Sequence, residues 1–226
     1  MHTVAGTGGA AIVAGTTASG VAVENQGVIT APPVSTSGGT GSFGVILGGT
    51  GTTVNNAASA SIIGYSAGAV LNLGAVVDNA GTILASGTAG GIGLLMGGGS
   101  LTNSSGALIS GYSAGALIGG GTVGGAGTIL NLGTIQSTAR NSGSLDTTQD
   151  SGVALGDGGT ITNAGFISGY EGVGLKDGGT VVNVLSGTIS GNAGVYIIGT
   201  LGTTVLLNNS EINGTNFGYL LNPVGA

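Results

Sequence analysis

The amino-acid sequence predicts an all-β fold: a single right-handed parallel β-helix of about nine coils, with three short strands in each coil. Three observations predict it. Short motifs recur every 20 to 24 residues, Val, Ile and Leu alternate with small or polar residues, and glycine makes up 53 of the 226 residues. A recurring unit of this length indicates a repeat architecture, and a period of two indicates strands. Glycine at this frequency argues against helices, because each one in a helix interior costs about 1 kcal/mol.

The first recurring motif is a glycine followed by an apolar residue, any residue and a second apolar residue. One interval between successive copies is 37 residues, and the others are 20 to 24 residues. The motif predicts one strand of each coil, with its two apolar side chains on the same face. The eight copies begin at Gly44, Gly68, Gly91, Gly115, Gly152, Gly172, Gly194 and Gly218.

The second recurring motif is an asparagine followed by an isoleucine after four or six residues, never after five. Alternate residues of a strand point to opposite faces, so a difference of two keeps the isoleucine on the same side. We expect the asparagines to stack at one corner of the coil and to form a structural ladder of side-chain hydrogen bonds. They are Asn25, Asn56, Asn79, Asn103, Asn131, Asn163, Asn183 and Asn208.

A short glycine turn, such as Gly98–Ser100, joins the two motifs within a coil. Each segment resembles the one a repeat away more than its neighbours, so equivalent segments should stack as parallel strands about 4.8 Å apart. The right-handed crossover of parallel strands gives the coil its predicted hand. We expect one domain over residues 1–226, with an irregular N-terminal part at about 1–19 and an inserted loop at about 138–150.

Charge is scarce in this chain: two basic residues, Arg140 and Lys176, accompany eight acidic residues. Phosphate binding needs several Lys or Arg side chains, so nucleic acid is not an expected partner. The absence of cysteine excludes disulfides and thiolate metal sites. No apolar run reaches about 18 residues, so no transmembrane segment is expected. We predict no cofactor and no enzymatic activity, because polysaccharide-cleaving β-helices need convergent carboxylates with Arg or Lys beside them.

The long interval between glycine motifs places about 13 surplus residues at 138–150. Insertions in repeat proteins leave the stack as loops, often on a binding face. This reasoning makes Arg140, Asp146 and Asp150 the candidate binding residues. The alternative is a solvated loop without a function of its own.

Three acidic residues raise the question of a metal site. Asp157 and Asp177 occupy the same repeat position in adjacent coils, and with Asp150 they could offer oxygen ligands to Ca²⁺. The glycine-rich calcium nonapeptide is absent, however, and Lys176 beside Asp177 can offset the charge. We therefore predict no metal site.

Tyr65, Tyr112 and Tyr170 each follow the glycine of a similar turn. They could form an aromatic stripe that contacts sugars or another rod. The alternative, which we favour, is that each tyrosine packs on its own coil.

The repeat resembles that of a known family, and residues 152–170 carry the resemblance most clearly. This segment combines Gly, Asn, Thr and Val in the manner of the passenger domains of bacterial autotransporters. The resemblance extends over about residues 20–221. It implies a secreted right-handed β-helix, adhesin-like, exported through the outer membrane to the bacterial cell surface. The family's C-terminal membrane barrel is missing, so we expect the chain to be a fragment.

The leading functional hypothesis is a non-enzymatic surface rod that is structural or adhesive. Its expected partners are a host-cell or glycan receptor and other copies of itself, end to end or side by side, because terminal coils expose unpaired strand edges. One alternative is an ice-binding β-helix, which needs threonine at alternating positions in coil after coil, and Thr160 with Thr162 supplies only one clear instance. A second alternative is a segment of a phage or viral fibre.

Overall fold

The computed structural model describes residues 3–5, 9–31, 33, 41–120, 124–139, 150–198 and 202–222. These residues form 24 β-strands and no helix, and every strand pair in them is parallel. The predicted fold class, a parallel β-helix, is confirmed. In this part of the chain no helix is long and apolar enough to cross a membrane.

The coil has three faces, and the first is the asparagine face, whose strands each end at a ladder asparagine. Its eight strands stack in the order in which they occur along the chain. They are β3 (Ala22–Asn25), β6 (Thr53–Asn56), β9 (Ala75–Asn79), β12 (Gly99–Asn103), β15 (Gly127–Asn131), β18 (Gly159–Asn163), β21 (Gly179–Asn183) and β23 (Thr204–Asn208).

The second face is the isoleucine face, which follows the asparagine corner and carries the isoleucine of the second motif. The strands β22 and β24 contribute only their first residues to it, because both continue around the next corner. The face contains β1 (Thr3–Ala5), β4 (Val28–Thr30), β7 (Ser61–Gly64), β10 (Thr82–Ala85), β13 (Leu108–Gly111), β16 (Thr134–Ser137), β19 (Phe166–Ser168), β22 (Thr188–Ile198) and β24 (Glu211–Asn222).

The third face is the glycine face, built from the first motif and completed by the later residues of β22 and β24. Its other strands are β2 (Ala10–Ala14), β5 (Phe43–Leu47), β8 (Ala67–Leu71), β11 (Ile92–Met96), β14 (Ala114–Ile118), β17 (Ser151–Leu155) and β20 (Glu171–Leu175). With nine strand segments on each of two faces and eight on the third, the described chain agrees with the predicted number of coils.

The interior is held together by columns of aliphatic side chains, of which the isoleucine column is the most regular. Its members pair residue for residue through eight coils, and burial of their apolar surface stabilises the stack at about 25 cal/mol per Å². All are buried except the last, which is partly buried. They are Ile29, Ile62, Ile83, Ile109, Ile135, Ile167, Ile189 and Ile212.

The isoleucine column explains why the glycine face has glycine at its centre. A Cβ atom added to Gly115 would lie 2.7 Å from Cγ2 of Ile135 and 2.6 Å from the carbonyl oxygen of Gly152 in the next coil. At Gly172 the same atom would lie 2.6 Å from Cγ2 of Ile189. These distances are too short for real contacts. The lumen beside the isoleucine column has no room for a second side chain, so glycine is needed here for space.

One copy of the glycine motif was assigned to the wrong residue. Ile92 pairs with Ala67 and Leu94 with Ala69, which places Gly93, rather than Gly91, in the glycine column opposite Gly68. Glycines at both 91 and 93 satisfy the motif, because each is followed by apolar residues at the required spacing. Only the strand register distinguishes them.

The N-terminal part at 1–19, expected to be irregular, contains two regular strands. Strand β1 pairs in parallel with β4, and β2 pairs in parallel with β5. The stack therefore begins earlier than the motifs indicated. The physical reason is that β2 carries Ile12 in the interior column of its face without a preceding glycine of the usual pattern.

Candidate functional site

The predicted asparagine ladder is present as an unbroken series of side-chain hydrogen bonds. Each Nδ2 donates to Oδ1 of the asparagine in the next coil, from Asn25 to Asn208, at 2.8 to 2.9 Å. In mid-ladder, Asn131 Nδ2 also donates to the carbonyl oxygens of Gly133 and Phe166 at 3.2 Å. Seven of the eight asparagines are buried, so the ladder stabilises the corner and offers no surface to a ligand.

Of the three candidate loop residues, only Asp150 lies within the described part of the chain. Its side chain is buried, its φ is 66°, and its carbonyl oxygen accepts a hydrogen bond from the Glu171 amide at 3.2 Å. At the other end of the insertion, Thr138 and Ala139 bond to the preceding coil. Both ends of the predicted insertion thus belong to the stack, while Arg140 and Asp146 lie outside the described residues.

The two aspartates considered as metal ligands follow Leu155 and Leu175, which pair in register. Asp157 Oδ2 accepts a hydrogen bond from the Gly120 amide at 2.7 Å, which joins adjacent coils. Within the described ranges, no group of three or more His, Asp or Glu side chains is placed to hold a metal ion. Asp157 is explained as a turn acceptor.

The three tyrosines lie at the corner where the isoleucine face turns into the glycine face, but they do not form a continuous stripe. In the coils between successive tyrosines, Ser86 and Thr138 occupy the corner. Their backbone N–H groups donate hydrogen bonds to the carbonyl oxygens of Gly64 and Gly111 in the preceding coil. The tyrosines therefore occur in every second coil, about 10 Å apart. Rings at this separation do not stack on one another.

Farther along this corner, in the coils on both sides of the insertion, the surface opens into a polar groove. It has two sections, of about 340 and 440 Å³, which share Ala139 and Gly169. We call it the corner groove. Its other described lining residues carry uncharged polar side chains. They are Gln136, Ser137, Thr138, Ser168 and Ser190 in the first section and Tyr170, Asn192 and Thr215 in the second.

The first section is built on the strand register of the isoleucine face. Gln136 pairs with Ser168, Ser168 with Ser190, and Ser190 with Asn213 in the next coil. Each of these residues directly follows a ladder isoleucine, so its side chain points outward. The isoleucine column thus places four polar side chains in a row along the rod, and Ser110 precedes them in the same register.

The groove contains both anchored and unbonded polar groups. Ser137 Oγ donates to the carbonyl oxygen of Tyr112 at 2.6 Å, and Asn192 Oδ1 accepts from Thr215 Oγ1 at 3.4 Å. The hydroxyls of Ser168 and Ser190, by contrast, make no hydrogen bond to any described residue. These two hydroxyls are available to a ligand.

Sequence reasoning missed this groove, although a signal for it exists. The residue after the ladder isoleucine is apolar in two early coils, as Ile63 and Leu84, and polar from Ser110 onwards, as Gln136, Ser168 and Ser190. The change occurs two coils before the insertion. A search for recurring residues alone overlooks a position whose residue type changes from coil to coil.

A buried carboxylate on the glycine face also went unnoticed. Glu171 is 1% exposed, and its Oε2 accepts a hydrogen bond from Ser151 Oγ at 3.0 Å. Nearby, Tyr196 is fully buried although the register aligns it with the outward-pointing Ala154 and Gly174. This region is closed to solvent, so it is a less suitable ligand site than the corner groove.

The outer surface of the asparagine face bears on the ice-binding alternative. Thr128, Thr160 and Thr180 follow one another in adjacent coils, but the second outward column beside them reads Leu130, Thr162 and Val182. The two-column threonine array is therefore complete only in β18.

Comparisons with known proteins gave no match: no family model, no curated protein and no solved structure matches the chain.

Proposed function

We propose that this chain is a non-enzymatic segment of a bacterial cell-surface or secreted rod, exported through the outer membrane and adhesive in function. The observation that carries the proposal is the unbroken stack, in which isoleucine and asparagine columns extend through eight coils. Nine strand segments at the spacing of parallel strands give a length of about 38 Å. A rigid rod of this kind projects binding groups from a surface, as the resemblance to autotransporter passenger domains implies.

Self-association is part of the proposal and is supported by the last described coil. Phe217, Tyr219 and Leu221 of β24 are 46%, 58% and 57% exposed. In the described chain β24 pairs only with β22. An exposed apolar strand edge is a template for another strand, so a second copy can add there end to end.

A binding screen tests the adhesive role. The purified chain should bind to a subset of immobilised glycans or host-cell surfaces, and a variant lacking residues 140–149 should bind less. Light scattering after size exclusion should show oligomers that grow with concentration. A chain that binds to none of these surfaces and stays monomeric at high concentration would contradict the proposal.

The ice-binding alternative has one supporting observation, the run of Thr128, Thr160 and Thr180 in adjacent coils. A thermal hysteresis assay tests it. Hysteresis above that of a β-helix without threonine columns would favour this alternative over the adhesive rod.

A further inference from the structure

We propose that the corner groove binds a neutral, extended glycan chain lying parallel to the axis of the rod. The inference rests on the adhesive function proposed above and assigns a ligand class and a site to it. Three properties of the groove carry it: the spacing of its polar groups, the uncharged polar character of its described lining, and the aromatic ring of a tyrosine.

The spacing of polar groups follows from the stack. Gln136, Ser168 and Ser190 lie in adjacent coils, so one polar side chain occurs about every 4.8 Å along the groove. This repeat is close to the advance per residue of an extended polysaccharide. A glycan lying along the groove can therefore place successive sugar hydroxyls against successive coils. With Asn213 the row extends over four coils, or about 14 Å.

The chemistry of the row fits sugar hydroxyls, which both donate and accept hydrogen bonds. The unbonded hydroxyls of Ser168 and Ser190 have the same double capacity. The amide of Gln136, whose Nε2 donates to Ser110 Oγ at 3.3 Å, still offers a second N–H and its oxygen. A few polar groups at fixed positions orient a ligand. The described lining consists of uncharged polar groups, which match the hydroxyls of neutral sugars.

Tyr170 and Gly169 complete the site. Tyr170 lines the second section and offers an apolar ring, which suits the C–H face of a sugar. Gly169 lines both sections, and a Cβ atom there would lie 2.5 Å from the carbonyl oxygen of Glu171, so the fold requires glycine at this point.

The earlier coils of the same face provide a contrast within one molecule. In two of them the positions equivalent to Gln136 and Ser168 are Ile63 and Leu84, whereas the coil next to the groove carries Ser110, which is buried. The two apolar positions and the buried serine end the row of exposed polar side chains on that side. A glycan should therefore bind in the coils of the groove rather than along the whole face.

The test uses neutral oligosaccharides of defined length, such as oligomers of β-linked glucose and of N-acetylglucosamine, with oligogalacturonate as the anionic probe. Isothermal titration calorimetry should show binding to at least one neutral series, with affinity rising from the disaccharide to the tetrasaccharide and then levelling off. The double variant Ser168→Val/Ser190→Val should bind at least tenfold more weakly. Tyr170→Ala should also weaken binding.

Ser100→Val is the matched control, since Ser100 points outward from the asparagine face. It should leave the affinity unchanged, and all variants should keep the thermal unfolding midpoint of the parent chain. Unchanged affinity in the double variant, tighter binding of oligogalacturonate, or no binding of any neutral series would overturn the inference. Cell-surface binding that persists in the double variant would overturn the groove assignment and leave the adhesive rod intact.

Discussion

The coils before and after the insertion have the same interior and different surfaces. Inside, the isoleucine column is uniform, with Ile62 and Ile83 in the earlier coils matched by Ile167 and Ile189 in the later ones. One residue further along each strand, two of the earlier coils carry the apolar Ile63 and Leu84, whereas the later coils carry Ser168 and Ser190. The comparison shows that the repeat constrains what points inward and leaves the outer surface free to differ from coil to coil.

The reason lies in what surrounds each position. An inward side chain is packed between copies of itself in the coils above and below, so a change in one coil disturbs both neighbours. An outward side chain contacts solvent or a ligand on at least one side. Selection for binding can therefore act on the surface without loss of the stack.

The largest effect is expected from a break in the middle of the asparagine ladder. Asn131→Ala leaves Asn103 Nδ2 with only its bond to the carbonyl oxygen of Thr134, and it removes the donor to the buried Oδ1 of Asn163. We expect a loss of about 3 kcal/mol in the free energy of unfolding, measured by urea denaturation.

Asn208→Ala is the control, because Asn183 Nδ2 keeps its bonds to the carbonyl oxygens of Gly187 and Glu211. It should cost about 1 kcal/mol or less. Equal losses would show that the ladder position does not matter.

A smaller loss is expected when the glycine column is filled. Gly115→Ala places a Cβ atom against Ile135 and against backbone that cannot move aside, which should cost about 2 kcal/mol. At Gly15 an added Cβ would meet nothing within 4 Å, so Gly15→Ala should be close to neutral. Thermal denaturation of the two variants compares them directly. A neutral Gly115→Ala variant would show that the lumen has space to spare.

Substitutions in the corners with six residues from asparagine to isoleucine should change stability less, and they can raise or lower it. Each corner has a residue with positive φ, namely Ser59 at 65°, Gly106 at 79° and Ser186 at 82°. Gly106→Ser should destabilise by about 1 kcal/mol, and Ser59→Gly should stabilise slightly, because only glycine adopts this conformation without strain. A Cβ atom at Gly106 would meet nothing within 4 Å, so the effect reports backbone conformation alone. Changes of the same sign in both variants would contradict this account.

The smallest effect is expected on the outer surface of the isoleucine face. Exchanging its outward residues, with Leu84→Gln in an early coil and Gln136→Leu in a later one, should change the free energy of unfolding by about 0.5 kcal/mol or less. Urea denaturation of the two variants measures it. A loss as large as that of Asn131→Ala would mean that outward and inward positions are equally constrained.

The sequence was informative wherever a residue type repeats in register. The distance from asparagine to isoleucine, four or six residues but never five, predicted both buried columns, because a strand side chain can point only to one side or the other. The same reasoning failed at Gly91 and Gly93, where two residues of one type are separated by two positions at the start of one strand. There the partner strand β8 decides which of them enters the column.

The order of residues is enough to predict the class of fold, the approximate number of coils and the residues of the asparagine and isoleucine columns. Each of these depends on a local alternation and on its repetition, and both are visible along the chain. The burial of Glu171 and the meeting of Gln136, Ser168, Ser190 and Tyr170 in one groove emerge from the folded chain alone. Those side chains lie in different coils, and their neighbours across the corner depend on how one coil is set above another. The distance between two side chains in different coils depends on how the coils stack, so it does not follow from the sequence of one repeat.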